Sequence, residues 1–325
     1  MLIKQKVITA VSVFSIILAA GCSNTKTISY PKKGKTITVI CPWEKGGGTD
    51  TLLRAITAAA QLQLGTDITV TNNAGDGGAA GFKALKNAQP DGYTLGMITF
   101  ELNALPQQKA VDFTYKDFDP LIRVNADSAA ITVRADSPYK TLQQFVEYAK
   151  THPGEIAIGD SSPGSVWNIG ALIFAKTAGI VIKHVPFDGA AATTGALAAG
   201  TVQAVSVSLA EVKSQIDEGK AKCLGLMDEQ RSKLYPSIPT LREEGFDVTC
   251  YTWRGLALPR GTDPQIIQIL SKAFTKAMDD PDFKAAADKL NFNLAYLPPD
   301  EFSRFLAENY DEVTKALEET HLIER

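Results

Sequence analysis

The sequence predicts an α/β protein with two doubly wound lobes that are joined by two extended crossings. Short apolar strands alternate with helices in two separate series, and this alternation is typical of parallel sheets with right-handed crossovers. Two long extended runs without a helical period flank the second series: 120–134 precedes it and 247–258 follows it. The chain has 325 residues and 45% hydrophobic content, so two cores are feasible. We predict that lobe 1 contains residues 36–123 and 249–325 and that lobe 2 contains residues 124–248.

The first 22 residues are predicted to be a targeting segment and not part of the fold. Lys4 and Lys6 precede an apolar stretch, 7–20, that is too short to span a bilayer. The stretch ends in LAAGC, which resembles a bacterial lipobox, so we expect cleavage before Cys22, acylation of its sulfur and a location outside the cytoplasm. An ordinary signal peptide with an incidental cysteine is the alternative. Residues 23–35 are polar and are predicted to be a flexible tether.

The unit that opens lobe 1 is a strand, a glycine-rich turn and a helix. Thr36–Cys41 is apolar and β-branched, as a buried parallel strand requires, and Pro42 ends it. Gly46, Gly47 and Gly48 follow, and apolar residues then recur at helical spacing to Leu64. Such a corner directs unpaired backbone N–H groups and the positive end of a helix at an anion, and glycine lets the anion approach closely.

Two polar residues begin that helix, and each has a structural and a binding interpretation. Thr49 is a natural N-cap, so its hydroxyl could serve the helix and not a ligand. Asp50 in the first turn would pair with Arg54 at i+4. Because a carboxylate there repels an anion, we expect Asp50 to orient the loop amides or a bridging water, or to bind an amino or hydroxyl group of the ligand.

The rest of lobe 1 repeats this arrangement. A strand at 67–71, a second glycine-rich turn at 72–78, a helix at 79–88 and a strand at 93–99 follow in order. Ligands of such sheets bind beyond the carboxyl ends of the strands, where both turns would lie. Glu101 and Asn103 follow the third strand and are expected at the same rim.

Lobe 2 begins with a helix at 140–151 that carries a Thr141…Gln144 capping box. The predicted elements after it are strands 155–159, 180–185, 202–207 and 221–226, turns at 160–165 and 186–189, helices 166–178 and 209–218, and an alanine-rich helix that follows the second turn and ends at Ala199. Two more helices are predicted to start at Pro264 and Pro299. Arg123 and Arg254 lie in the crossings, where a hinge salt bridge is favoured over ligand contact.

Composition and motifs argue against several classes of function. With 33 basic and 36 acidic residues and no basic stripe, the chain is not expected to bind nucleic acid. His152, His184 and His321 show no catalytic or metal-binding spacing, and neither a GxSxG elbow nor a Walker A loop is present. We therefore expect no enzyme activity, no metal and no cofactor. Beyond Cys22, three cysteines in apolar runs are predicted to be buried free thiols, with one disulfide left open: Cys41, Cys223 and Cys250.

Several motifs in order resemble one family: PWEKGGGTD, NNAGDGGAAG, PDGYTL, HVPFDGAA and TWRGLALPRGT. With the lipobox, they make the mature chain similar to the extracytoplasmic solute-binding receptors of tripartite tricarboxylate transporters, the Bug or TctC family. The resemblance implies a type II periplasmic-binding-protein fold with the ligand held between the lobes. It also implies a small carboxylate as ligand, a membrane permease as partner and a monomeric receptor.

The resemblance also implies a set of ligand-binding positions. From lobe 1 they are Trp43, Gly46, Gly47, Gly48, Thr49, Asp50, Gly77 and Gly78, and from lobe 2 they are Ser161, Ser165, Asn168 and Ser208. The chain departs from the family pattern at Glu44-Lys45, Asn168 and Val207, and these departures leave the identity of the carboxylate open. Two other functions are considered: a ligand-sensing receptor of a two-component system, and a secreted hydrolase that uses Ser161.

Overall fold

Ten strands form the framework of the protein in the computed structural model, which describes residues 28–324. The prediction for Cys22 therefore lies outside the described residues. The strands are β1 Ile37–Cys41, β2 Ile68–Asn72, β3 Thr94–Thr99, β4 Phe118–Arg134, β5 Ala157–Asp160, β6 Lys183–Pro186, β7 Ala204–Ser208, β8 Ala221–Leu226, β9 Tyr251–Pro259 and β10 Leu294–Leu297.

Helices connect most of these strands, as the alternating pattern predicts. They are α1 Gly48–Leu64, α2 Ala79–Lys86, α3 Glu101–Ala104, α4 Leu142–Thr151, α5 Val166–Ala178, α6 Ala190–Ala199, α7 Leu209–Asp217, α8 Pro264–Met278, α9 Pro281–Lys289 and α10 Pro299–Glu319. Sequence analysis missed α3, α9 and β10. The start of α9 has the same Asp-Pro signal as α8, and Asp280 accepts hydrogen bonds from two amides of its first turn. In contrast, β10 has only four partly exposed residues and no alternating pattern.

Eight of these strands form a continuous, curled sheet in the order β2-β1-β3-β9-β4-β7-β5-β6, and β8 and β10 each pair with β4. β1 is parallel to β2 and β3 at one end, and β5 is parallel to β6 and β7 at the other. Between these two parallel groups, β9 and β4 pair antiparallel. The result is a mixed α/β fold in two lobes, with each glycine-rich turn at the carboxyl end of a parallel strand.

The long strand β4 belongs to both lobes. Residues 118–128 pair with β9, whereas residues 129–133 pair with β7. Where the partner changes, the N–H of Ala129 donates to the carbonyl of Cys250 at 2.8 Å. Both predicted extended crossings are therefore present, as β4 and β9. The lobe boundaries 36–123 with 249–325 and 124–248 remain a prediction.

Apolar helix faces cover both sides of the sheet. Leu52, Leu53 and Ile56 of α1 are fully buried on the lobe 1 side, and Phe145 and Phe174 are fully buried on the lobe 2 side. The thiols of the three described cysteines are buried and unpaired, which fits their place in apolar strands. Across residues 28–324, no helix has both the length and the apolar character needed to cross a membrane.

Candidate functional site

A cavity of about 100 Å³ opens where the two glycine-rich turns of lobe 1 face lobe 2. Its lobe 1 wall comes from the segments that follow β1, β2 and β3, and the opposite wall comes from the turns after β5 and β6 and from the start of α7. A smaller cavity of about 30 Å³ adjoins it and shares Trp43, Gly77, Glu101, Ser161 and Gly189. We call the two cavities together the cleft.

The β1–α1 turn supplies backbone to the cleft. Gly47, Gly48 and Thr49 line the larger cavity. Gly47 is the N-cap of α1 and has extended φ and ψ angles of −72° and 171°, with no side-chain cap, so the first amides of α1 remain available to a ligand. The N-cap expected at Thr49 is wrong by two residues, because the helix already begins at Gly48. Gly46 does not line the cleft; its φ of 86° requires glycine to make the turn.

Asp50 holds this turn in place and does not line the cleft. Its carboxylate accepts hydrogen bonds from the N–H of Gly46 at 2.9 Å, from Arg54 Nε at 3.0 Å and from Asn72 Nδ2 at 2.9 Å. Burial by itself would raise the pKa of Asp50, but these hydrogen bonds outweigh it and hold the pKa below its ordinary value. The expected pairing with Arg54 and the orientation of the loop amides are both confirmed.

The second glycine-rich turn adds backbone to the same wall. Gly75 and Gly77 line the larger cavity, and Gly77 has a left-handed φ of 64°. Gly78 lies behind it, where an added Cβ would be 3.2 Å from the Phe82 ring, so this position serves close packing. Trp43 is half-buried and lines both cavities, which makes it an aromatic wall of the cleft.

Lobe 2 faces the glycine turns with a hydroxyl-rich turn. Ser161 is 6% exposed and lines both cavities, and Ser165 lines the smaller one while capping α5. Asn168 and Ser208 do not line the cleft. The Oδ1 of Asn168 accepts from the N–H of Gly164 at 2.9 Å, so it shapes the turn, and Ser208 caps α7.

A fully buried Asp160 and a half-buried His184 form a pair directly behind this turn. His184 Nδ1 is 2.8 Å from Asp160 Oδ2, and Asn168 Nδ2 also contacts that oxygen at 3.3 Å. Burial raises the pKa of Asp160 to about 8 and lowers the pKa of His184. Near neutral pH the two groups therefore share a hydrogen bond as uncharged partners.

Arg254 of β9 is the main cationic group of the cleft wall, and sequence analysis did not place it there. Its NH1 forms an ion pair with Asp127 of β4 at 2.7 Å, and its Nε donates to Thr49 Oγ1 at 2.9 Å. The predicted hinge salt bridge is confirmed, yet the same guanidinium also lines the larger cavity. Arg123 has no such partner among residues 28–324; it donates to the carbonyl of Ala295 and stacks on Phe305.

Two carboxyl groups reach the cleft from opposite lobes. Glu101 is 7% exposed, lines both cavities and accepts from Thr99 Oγ1 at 2.6 Å. Glu211 lies 3.6 Å from Arg254, and burial raises its pKa to about 7. Glu211 forms a capping box with Ser208, and this Ser-x-x-Glu pattern in the sequence could have placed Glu211 in the first turn of α7. Asn103 is not at the rim as expected, because it is fully buried against α10.

The arrangement suits binding of a small anion by amides, hydroxyls and one guanidinium. Among the described residues, no group of His, Cys, Asp and Glu side chains is placed to hold a metal ion.

Comparison with known proteins agrees with this geometry. The family model described as "Tripartite tricarboxylate transporter family receptor" matches residues 52–322. The chain belongs to this family of receptors. The receptor is 32% identical over 294 residues to "UPF0065 protein in gbd 5′ region" of Cupriavidus necator, and the match covers 90% of this chain and 88% of that protein.

Solved structures of solute-binding proteins share its fold. A TctC solute-binding protein from Polaromonas, solved without ligand, is 35% identical and has a TM-score of 0.71, covering 90% of the receptor and 100% of that chain. MatC from Rhodopseudomonas palustris, solved with bound malate, is 26% identical and has a TM-score of 0.80. The match covers 88% of the receptor and 100% of the MatC chain. The expected family and two-lobed fold are thus confirmed.

Proposed function

We propose that the receptor captures a small carboxylate in the cleft outside the cytoplasm and delivers it to a membrane permease of the tripartite tricarboxylate type. The observation that carries this proposal is the uncapped start of α1, where Gly47, Gly48 and Thr49 line the cavity opposite Ser161. Backbone amides at a helix N-terminus favour an anion, and hydroxyl groups can complete its hydrogen bonds. The malate bound by MatC supports a carboxylate as the ligand class.

The proposed contacts are strong enough for a transport receptor. A charge-assisted hydrogen bond contributes about 1.5–3 kcal/mol, and micromolar affinity requires about 8 kcal/mol. Four or five such bonds from amides, hydroxyls and Arg254 would suffice after the losses of binding. Within this proposal Gly46, Asp50, Gly78, Asn168 and Ser208 support the binding turns and do not contact the ligand.

The proposal includes attachment to the membrane surface through acylated Cys22 and a single chain as the working unit. The expected flexible tether of residues 23–35 is wrong in its C-terminal part, where the N–H of Lys32 donates to the Tyr93 hydroxyl at 2.7 Å and Lys35 pairs with Asp91 at 3.1 Å. No covalent step is assigned to the ligand. His184 is paired with Asp160, and neither group lines the cleft.

Substitution of Gly47 by valine tests the binding turn. Gly47 has an extended backbone that valine adopts readily, and an added Cβ would be 3.5 Å from the Glu44 carbonyl, an ordinary contact. We expect Gly47→Val to fold normally but to lose at least tenfold in affinity for mono-, di- and tricarboxylates in titration calorimetry, about 1.4 kcal/mol, because its methyl groups occupy the anion position.

The matched control is Gly195→Val on the exposed side of α6, which should bind as the unmodified receptor does. Unchanged affinity in Gly47→Val would remove the β1–α1 turn from the site. A receptor that binds no carboxylate at all would overturn the proposed function.

A further inference from the structure

Acidic side chains outnumber basic ones in the wall of the larger cavity. Glu44, Lys45 and Asp188 are exposed at its mouth. Deeper in the cleft, the charged side chains that line it are a single guanidinium and two carboxyl groups: Arg254, Glu101 and Glu211. A site built only for a dianionic ligand would show the opposite balance, because each added carboxylate raises the cost of charging the others.

Arg254 is already balanced by other carboxylates. Its ion pair with Asp127 at 2.7 Å is almost completely buried, with both side chains 3–4% exposed. The NH2 group lies 3.6 Å from Glu211. The positive charge of the guanidinium is therefore shared by two protein carboxyl groups before Glu101 or any ligand is considered.

Glu101 has no cationic partner within residues 28–324. One oxygen accepts from Thr99, and the remaining stabilisation comes from backbone N–H groups and from Arg254 at longer range. Burial dominates these contributions and raises the pKa of Glu101. Since the residue is more than nine-tenths buried and borders both cavities, a group bound in the cleft is in position to supply the missing positive charge.

We propose that the ligand of the cleft is an amino-carboxylate, and that Glu101 is the specificity-determining residue that contacts its ammonium group. This inference rests on the proposed function, because the carboxylate end of the same ligand would bind the amides of Gly47–Thr49. The ammonium forms charge-assisted hydrogen bonds with Glu101, and Glu211 adds a second acceptor on the opposite wall. A ligand without the amino group offers Glu101 no counter-ion, so burial then favours the uncharged form of its carboxyl group.

Matched pairs of ligands test the proposal directly. Titration calorimetry at pH 8, where Glu211 is mostly ionised, would compare saturated mono- and dicarboxylates of three to six carbons with their 2-amino derivatives, for example succinate with aspartate and glutarate with glutamate. We expect the amino member of the best-binding pair to bind at least tenfold more tightly than its partner.

The variant Glu101→Gln keeps the size of the side chain and the acceptor for Thr99 but removes the charge. It should lower affinity for the amino member at least tenfold and leave affinity for the other member equal or higher. Glu147→Gln, an exposed position of α4, is the control for loss of one acidic group and should change neither. If Glu101→Gln does not fold, Glu211→Gln should reduce the same preference in the same direction.

Two failures can be distinguished. If carboxylates with and without the amino group bind equally, or if the preference survives both substitutions, the assignment of Glu101 is overturned while the receptor function stands. If no member of any pair binds, the proposed function itself fails and the amino-carboxylate assignment fails with it.

Discussion

The Asp160–His184 pair places a titratable group one residue from the Ser161 turn. Burial raises the pKa of Asp160 to about 8, well above its value near 4 in an unfolded chain. The uncharged carboxyl group therefore adds stability that is fully present below pH 4 and is lost as the pH rises through 8. Burial lowers the pKa of His184, which by itself makes stability rise with pH, but this opposing effect fades above pH 7 as the unfolded chain also loses that proton.

We expect the free energy of unfolding to fall by roughly 1 kcal/mol between pH 7 and 8.5, because folded Asp160 holds its proton up to about pH 8 while the unfolded chain has already lost it. Urea denaturation at a series of pH values measures this fall. In Asp160→Asn the decline should be largely absent, whereas Asp112→Asn, an exposed acidic position, should retain it. If the free energy of unfolding falls with pH as steeply in Asp160→Asn as in the unmodified chain, Asp160 is already ionised at neutral pH.

At the scale of single residues, sequence analysis found the groups that local chain pattern determines. Gly47 and Ser161 lie in turns that directly follow strands, so their place at the rim follows from strand and turn signals alone. Arg254 and Glu211 are different, because their position at the cleft depends on how β9 and α7 approach α1. Only tertiary packing brings Arg254 within 2.9 Å of Thr49, across 205 positions of sequence.

Among the elements, α2 fixes the second glycine-rich turn against the first. A Cβ added at Gly81 of α2 would lie 2.7 Å from Cα and Cβ of Pro42 and 2.9 Å from the carbonyl of Asn73. These atoms, which include the backbone of Pro42 and Asn73, belong to the segment before the first glycine-rich turn and to the start of the second. The close approach of α2 therefore sets the distance between the two binding turns.

Gly81→Ala should destabilise the receptor by roughly 1–3 kcal/mol in urea unfolding, because backbone atoms cannot move aside as a flexible side chain would. Its affinity for carboxylates should fall as well, since the turns separate. Gly195→Ala is the matched control: an added Cβ there meets nothing within 4 Å, and alanine in α6 should stabilise by up to about 1 kcal/mol. Equal urea midpoints for Gly81→Ala and the unmodified chain would contradict this role of α2.

Sequence analysis predicted the main strands and helices because periodicity, prolines and glycines mark most of their ends. For example, α5 was predicted with the bounds 166–178 that the structure shows, between a serine cap and Gly179. The short elements α3 and β10 have too few residues to show a period. The strand β10 forms only because β4 offers it an edge, at Asn125 and Arg123.

For the whole molecule, we expect the crossings β4 and β9 to be the connections about which the two lobes move. A ligand that contacts both Gly47 and Ser161 joins the walls of the cleft and favours a closed arrangement. Binding to the folded state alone also raises the melting temperature by mass action.

We expect small-angle X-ray scattering to show a smaller radius of gyration when the tightest-binding carboxylate saturates the receptor. At a ligand concentration 100 times the Kd, the melting temperature should rise by roughly 5 °C, from about 2.7 kcal/mol of added stability. Gly47→Val with a tenfold weaker affinity should show at most about half of the rise in melting temperature at the same ligand concentration. A radius that stays constant while calorimetry reports binding would mean that the lobes do not move.

The hydrogen bond from Ala129 to Cys250, with donor and acceptor 2.8 Å apart, joins two chain positions that lie close to the predicted boundaries of lobe 2. A continuous segment with adjoining ends can be exchanged between homologous proteins without a new linker. Replacing residues 129–250 with the equivalent segment of a homologue would create a chimaera in which the two walls of the cleft come from different proteins. The contribution of each wall to ligand selectivity could then be changed separately.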